Sequence, residues 1–280
     1  IHCYLCPHSC IISDKGRCGV RKRIGDKLYS EAYGKIIAES VDPVEKKPLF
    51  HFMPFSRTYS IATVGCNMDC DFCQNWEISQ PKEIIGTERT PEEIVEKALN
   101  AGCKSISYTY TEPTIFFEFA YDTARIAKKK GLKNIFVSNG YTSIPAIDMI
   151  SPYLDAINID LKAFTVEFYQ KKCKARLKPV LDAIKRYHDN GVHCEITTLI
   201  IPNHNDSMFD EIVDFIISID KKIPWHISRF MPMHRMSQEF PTPISTLEQA
   251  YQIGKHKGLQ HIYMGNTGKI QNTICPECNK

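Results

Sequence analysis

From residue 59 onward the sequence repeats one pattern, a short and almost continuously apolar run followed by a stretch of helical amphipathicity. The runs are "YSIATV" (59–64), "SISYTY" (105–110), "NIFVSN" (134–139), "AINIDL" (156–161), "EITTLII" (195–201), "WHISRF" (225–230) and "HIYMG" (261–265). A strand apolar on both faces must be covered on both, which is the condition of parallel strands crossed over by helices. Thr90-Pro91-Glu92-Glu93 opens the first such helix, with Thr90 as N-cap, Pro91 in the first turn and Glu93 completing a capping box. Further helices are expected through "FFEFAYDTARIAKKKG" and "IPAIDMISPY", near "DAIKRYHDNG", through "MFDEIVDFIISID", and from Ser245 to Gly258. Repeated in this way, the unit predicts an α/β fold, a partial (β/α)6-like TIM barrel over residues 59–266.

The 280 residues leave room for appendages beside one barrel. Residues 1–58 break the pattern: they carry four cysteines, hairpin-like pieces at "GDKLY" and "YGKII", and a proline-flanked linker, "DPVEKKPLFHF". They predict a small cysteine-rich N-terminal module, and 267–280 a tail bearing "CPEC". A net charge of +3 argues against a nucleic-acid or anionic-membrane partner. No apolar run reaches the roughly 18 residues of a membrane span, and "IHCYLCPHSC" lacks the apolar core of a signal peptide, so a cytoplasmic protein is expected. The first residue is not Met, which suggests a trimmed or processed start. Of twelve cysteines, nine fall into close groups, which in a reducing compartment points to metal.

Directly after the first barrel strand comes "CNMDCDFCQNW" (66–76), which places Cys66, Cys70 and Cys73 on one short arc. Zinc would ask for a fourth ligand. A four-iron, four-sulfur cluster held by three thiolates keeps one iron free to bind a small molecule. A zinc knuckle or a chance group of buried thiols is the plainer account.

Active sites of parallel barrels lie where the strands end at their C-terminal edge. The second strand ends in "TYTEPT", where Glu112 precedes Pro113; a helix start alone would favour an acid there. The third ends in "VSNG", offering Ser138 and Asn139, with Gly140 permitting close backbone approach. In "NIDLKAF", Asp160 and Lys162 share one face of the fourth strand and are directed into the barrel mouth, although a surface ion pair would look the same. Ile200, Ile201 and Pro202 form a candidate apolar wall for a bound cofactor, with core packing an equal account. His226 and Arg229 on the sixth strand are candidates to flank cofactor or substrate.

Through "CYLCPHSC", "GRCGVR", "DPVEKKPLFHF", "GCNMDCDFCQNWEISQ", "SYTYTEPTIFFE", "EITTLIIPNHND" and "PWHISRF", the chain resembles the radical S-adenosylmethionine (SAM) enzymes. It is most similar to the pyruvate formate-lyase activating enzymes and, more narrowly, to the AmmeMemoRadiSam system radical enzymes. The resemblance implies a partial barrel of the radical SAM type, a [4Fe-4S] cluster on Cys66, Cys70 and Cys73, and SAM on the open iron. It implies Phe72 packed on adenine, Glu112 receiving the methionine ammonium, Ser138 and Asn139 contacting ribose, and Asp160 and Lys162 beside the cofactor carboxylate. The implied chemistry is one-electron cleavage of SAM to a 5′-deoxyadenosyl radical that removes hydrogen from a substrate, a protein among the candidates. A reducing donor such as ferredoxin or flavodoxin is the implied partner, together with proteins carrying the other two domains of the system's name. Two departures stand out. Val137 occupies the place of an aspartate in activating enzymes, and Tyr110 and Thr111 replace two glycines. Relatives often continue beyond "CPECNK".

Six cysteines predict a second metal site. Cys275-Pro-Glu-Cys278 is half of a zinc knuckle, and if the barrel brings both termini together, an N-terminal pair completes it. Alternatively Cys3, Cys6, Cys10 and Cys18 close a site by themselves, as zinc or as an auxiliary iron–sulfur cluster, with His8 a further candidate ligand. Zinc is the expected metal. Cys103, Cys173 and Cys194 are expected as ordinary packed or partly exposed thiols.

Overall fold

In the computed structural model, which describes residues 1–80, 83–268, 272–275, 277 and 278, each apolar run becomes a strand. The strands are β1 (Arg21–Ile24), β2 (Lys27–Ser30), β3 (Lys35–Pro43), β4 (Arg57–Thr63), β5 (Thr87–Glu88), β6 (Ser105–Tyr108), β7 (Lys133–Ser138), β8 (Ala156–Asp160), β9 (His193–Ile200), β10 (Trp225–Arg229) and β11 (Ile262–Gly265). The helices are α1 (Trp76–Ser79), α2 (Pro91–Asn100), α3 (Phe117–Lys129), α4 (Ile144–Ile150), α5 (Val166–Phe168), α6 (Leu177–Asp189), α7 (Phe209–Ile219) and α8 (Ile244–His256). The main sheet runs β11-β10-β9-β8-β7-β6-β4-β3-β5. Its members from β4 to β11 are parallel, while β3 and β5 extend one edge antiparallel. The sheet order ends at β11 and β5 without joining them, so the barrel is partial.

Alternation along each strand separates outer packing from inner chemistry. On β8, Ile157 and Ile159 are fully buried, whereas Asn158 and Asp160 point the other way. Helix α2 shows the expected capping box: the Glu93 amide donates to Thr90 Oγ1 (3.2 Å) and the Thr90 amide to Glu93 Oε2 (2.7 Å). Its Ile94, Val95 and Ala98 are buried, the two larger side chains each contributing about 1.5–3 kcal/mol.

"GDKLY" forms the expected hairpin turn between β1 and β2. Two features depart from the expectations. Lys35–Pro43 is a full strand of the main sheet, paired with β4 from Ile36↔Thr63 to Pro43↔Arg57. The stretch expected as a linker is a plug. Val44 and Leu49 are fully buried against Ile135 and Ala156 at the starts of β7 and β8, and Asn158 Nδ2 donates to the Pro48 carbonyl at 2.8 Å. The amides of Phe50 and His51 donate to Glu195 Oε2 and Oε1 at 3.0 and 2.8 Å. Residues 44–51 therefore close the barrel from below.

Candidate functional site

Above this plug a cavity of about 610 Å³ opens at the C-terminal ends of the strands, a volume suited to a small-molecule cofactor. Cys66, Cys70 and Cys73 line it, together with Phe72, Glu112, Ser138, Asn139, Asp160 and Lys162. Residues from the ends of three strands, β6, β7 and β8, and from the loop after β4 thus meet in a single space.

The thiol loop is held from several directions. The Met68 amide points at Cys66 Sγ (3.4 Å), Asn139 Nδ2 reaches the same sulfur (3.5 Å), and Ser79 Oγ lies 3.2 Å from Cys73 Sγ. Asn139 Nδ2 also donates to Asn67 Oδ1 (2.9 Å), and Asn67 Nδ2 to the Tyr141 carbonyl (2.7 Å), so the end of β7 fixes the loop that follows β4. The turn leaving β4 requires glycine: Gly65 has φ +100°, and a Cβ there would lie 2.8 Å from Val20. Cys173 is not an isolated packed thiol, because it and Cys70 influence each other's ionisation. It is fully buried and outside the cavity lining.

Glu112 is 1% exposed. Its Oε1 accepts from the Thr114 amide (2.9 Å), Thr114 Oγ1 (2.6 Å) and Ser138 Oγ (2.9 Å), and its Oε2 from the Asn139 amide (2.8 Å). Burial pushes its pKa up while these donors hold it down, with a net rise. Oε2, with one partner, keeps the capacity to accept another. Lys162 Nζ pairs with Asp160 Oδ2 at 3.0 Å and lies 5.7 Å from the Phe72 ring centroid. Burial pulls its pKa down, but the neighbouring Asp160 carboxylate, followed by Cys70 and Cys173, raises it well above the ordinary value, so it is a cation.

Five expected residues, Ile200, Ile201, Pro202, His226 and Arg229, do not reach the cavity lining. His226 faces the interior one layer too low, where its Nε2 meets Glu195 Oε2 at 2.7 Å and its ring stacks on Tyr263. Arg229 points outward by strand alternation, and its Nε donates to the Thr242 carbonyl (2.7 Å). Ile201 is fully buried beyond the end of β9, and Leu199 supplies the apolar wall in its place.

Other lining residues carried no assigned role in the sequence. Lys47, 2% exposed, pairs with Asp42 Oδ2 at 2.8 Å and lies 4.4 Å from the Tyr110 ring centroid, while the Tyr110 hydroxyl donates to the same carboxylate. Tyr110 adopts φ +61°, so it retains a backbone conformation that the replaced glycine would reach without strain. The only sequence signal for this set was the block "DPVEKKPLFHF", to which spacing assigns no chemistry.

At the N-terminus, Cys3, Cys10 and Cys18 are the thiols acting electrostatically on Cys6, whose pKa is pushed up to about 11, chiefly by burial. The tail lies elsewhere. Cys275 hydrogen-bonds with Cys278, and Thr273 meets the Tyr263 hydroxyl (2.9 Å) near the start of β11. The N-terminal module is bound at the opposite, C-terminal ends of the strands, as the 2.7 Å contact of His8 Nε2 with the Asn67 carbonyl shows. Among the described residues, the barrel does not bring the two termini to one site.

The family model described as the Radical SAM superfamily matches residues 60–216. An uncharacterized protein of Methanocaldococcus jannaschii is 44% identical, over 99% of this chain and 85% of its own length. A domain of the pyruvate-formate lyase-activating enzyme from Bacteroides vulgatus superposes with a TM-score of 0.50 at 19% identity, over 58% of this chain and 99% of that one. Streptococcus suis SuiB bound to its precursor peptide SuiA superposes with a TM-score of 0.58 at 14% identity, over 72% of this chain and 47% of that one.

Proposed function

The chain belongs to the radical SAM superfamily and is an enzyme, and on that premise we propose that Cys66, Cys70 and Cys73 hold a [4Fe-4S] cluster with one iron left for SAM. The observation that carries this is the meeting of three thiols from one loop with Glu112, Asp160 and Lys162 in one cavity. Held there by Cys66, Cys70 and Cys73, such a cluster would supply the single electron for reductive cleavage of SAM, the chemistry that makes a hydrogen-abstracting 5′-deoxyadenosyl radical available.

The side chains then have distinct tasks. Glu112 Oε2, held by the Asn139 amide, accepts from the methionine ammonium, and Lys162 faces its carboxylate. Phe72 and Leu199 form apolar walls for adenine, and Ser138 and Asn139 present polar atoms toward the ribose. The plug formed by residues 44–51 excludes water from below, which a carbon radical requires.

Within the superfamily we place the chain in the AmmeMemoRadiSam system, because the sequence blocks carrying that likeness span nearly its whole length. A protein or peptide substrate is proposed, with a low-potential protein as donor; SuiB, on a similar fold, binds a peptide. Activation of a glycyl-radical enzyme is the second reading, favoured by the likeness to the activating-enzyme domain and weakened by Val137, Tyr110 and Thr111 at motif positions. Anaerobic incubation with dithionite and SAM should release 5′-deoxyadenosine from the reconstituted protein and not from Cys70→Ala. Equal release from both would overturn the assignment.

A further inference from the structure

We infer that Cys3, Cys6, Cys10 and Cys18 by themselves hold a second iron–sulfur cluster, closed by four protein thiolates, through which electrons reach the loop of Cys66.

The first argument is placement. All four cysteines belong to one module, and the Cys3 amide, donating to the Cys10 carbonyl (2.9 Å), folds its first segment back on itself. The bridge His2↔Ile11 and the turn bond from the Ser9 amide to the Cys6 carbonyl (3.1 Å) close the same loop. Cys3, Cys6 and Cys10 repeat the density of the Cys66 loop, three thiols in eight residues, and Cys18 adds the fourth ligand that loop lacks. Four thiolates leave no corner for a substrate, which is the coordination of an electron carrier.

The second argument is contact with the place where an electron is needed. His8, between Cys6 and Cys10, touches the carbonyl of Asn67, the residue next to Cys66. The Cys18 carbonyl lies so near Gly65 that a Cβ there would come within 3.0 Å of it. Further bonds dock the module, from the Ser143 amide to the Leu5 carbonyl (3.1 Å) and from Arg17 Nη2 to the Lys174 carbonyl (3.2 Å). All four thiols sit in partly exposed residues, so an external donor can approach. Among the described residues no three His, Cys, Asp or Glu side chains are spaced to grip a single ion. The Cys66 loop shares that spacing, and a cubane, whose thiolates bind separate irons, does not require them to meet at one point.

The transfer is of one electron, from a low-potential protein donor to the closed cluster and then to the open one, with no bond made or broken. This delivery role rests on the proposed radical chemistry; the ligation does not. The test is iron and zinc analysis with electron paramagnetic resonance on anaerobically reconstituted full chain. The Cys66→Ala/Cys70→Ala/Cys73→Ala variant should retain about four irons and, when reduced, a [4Fe-4S] signal unaltered by SAM. One zinc and no iron, or no metal, would overturn the cluster. Cys275→Ser/Cys278→Ser should leave the iron content of the native chain intact, and a loss of about four irons would overturn closure by the N-terminal four alone. For delivery, Cys6→Ser/Cys10→Ser should lower the ratio of SAM cleavage with reduced flavodoxin to that with dithionite by about tenfold or more, and an unchanged ratio would overturn it. If native protein cleaves no SAM with either reductant, the radical reading fails while the iron count of the triple variant still decides the cluster.

Discussion

At the floor of the barrel Glu195 spends both carboxylate oxygens on the chain itself, taking His193, His226 and the amides of Phe50 and His51, whereas at the mouth Glu112 leaves Oε2 with the Asn139 amide alone. Both acids are almost completely buried. The Lys–Asp pairs repeat the contrast: Lys47–Asp42 is sealed by Tyr110, while Asp160 beside Lys162 has a side chain 39% exposed. A buried charge needs partners, and the partner is either a segment of the same chain or a molecule that arrives later. Inward charge on a barrel strand therefore marks a binding site only where no chain segment crosses it.

The comparison breaks first at the floor. Glu195→Ala strands two histidines and two backbone amides, and should cost about 3–5 kcal/mol in urea unfolding, with 5′-deoxyadenosine yield following only the folded fraction. A loss under about 1 kcal/mol would mean that the plug is not held by this acid. The same residue sets an acid limit. Although burial opposes ionisation, His193, His226 and the Phe50 amide hold the Glu195 pKa down at about 2, below its ordinary value near 4.3. Its contribution, about 3 kcal/mol, is fully present above the unfolded pKa and is lost as pH falls from about 4.3 towards about 2. The stability difference between native protein and Glu195→Gln should shrink over that window; a difference independent of pH would contradict it.

At the mouth the balance reverses. Glu112→Gln keeps the shape but turns an amide group towards donors, and should cost about 1–3 kcal/mol of stability. Its larger signature is functional, a fall in SAM affinity of about tenfold by equilibrium binding. Unaltered affinity would show Glu112 to be a cap only. The smallest effect lies outside both regions. Thr90→Ala removes one half of the capping box and should cost about 1 kcal/mol, a Tm decrease of about 2–4 °C, with SAM cleavage per folded chain unchanged.

Much of the fold was legible because strand and helix periods are properties of neighbours in the chain. β4, β6, β7, β8, β9, β10 and β11 lie within two residues of the apolar runs, and α2 starts at its capping box. Glu112, Ser138, Asn139, Asp160 and Lys162 share a cavity with the three cysteines because each stands at or just beyond a strand end, and Phe72 because it lies in the thiol loop itself. β3 was not legible as a sheet strand, since "KIIAESVDP" lacks a continuous apolar run; one strand partner, β4, and a short pairing with β5 suffice to hold it. His226 and Asp160 both face inward, and only depth along the strand separates floor from mouth.

The order of residues determined by itself the parallel sheet, the three-thiol loop after its first parallel strand, and the set of polar strand ends. Tertiary structure alone decided that Glu195 meets the Phe50 amide 145 residues away, that the segment after β3 closes the barrel, and that the N-terminal cysteines lie against the Cys66 loop while the tail does not. The reason is range: periodicity is written between near neighbours, whereas the partner of a buried charge is whatever the topology carries to it from a distant part of the chain.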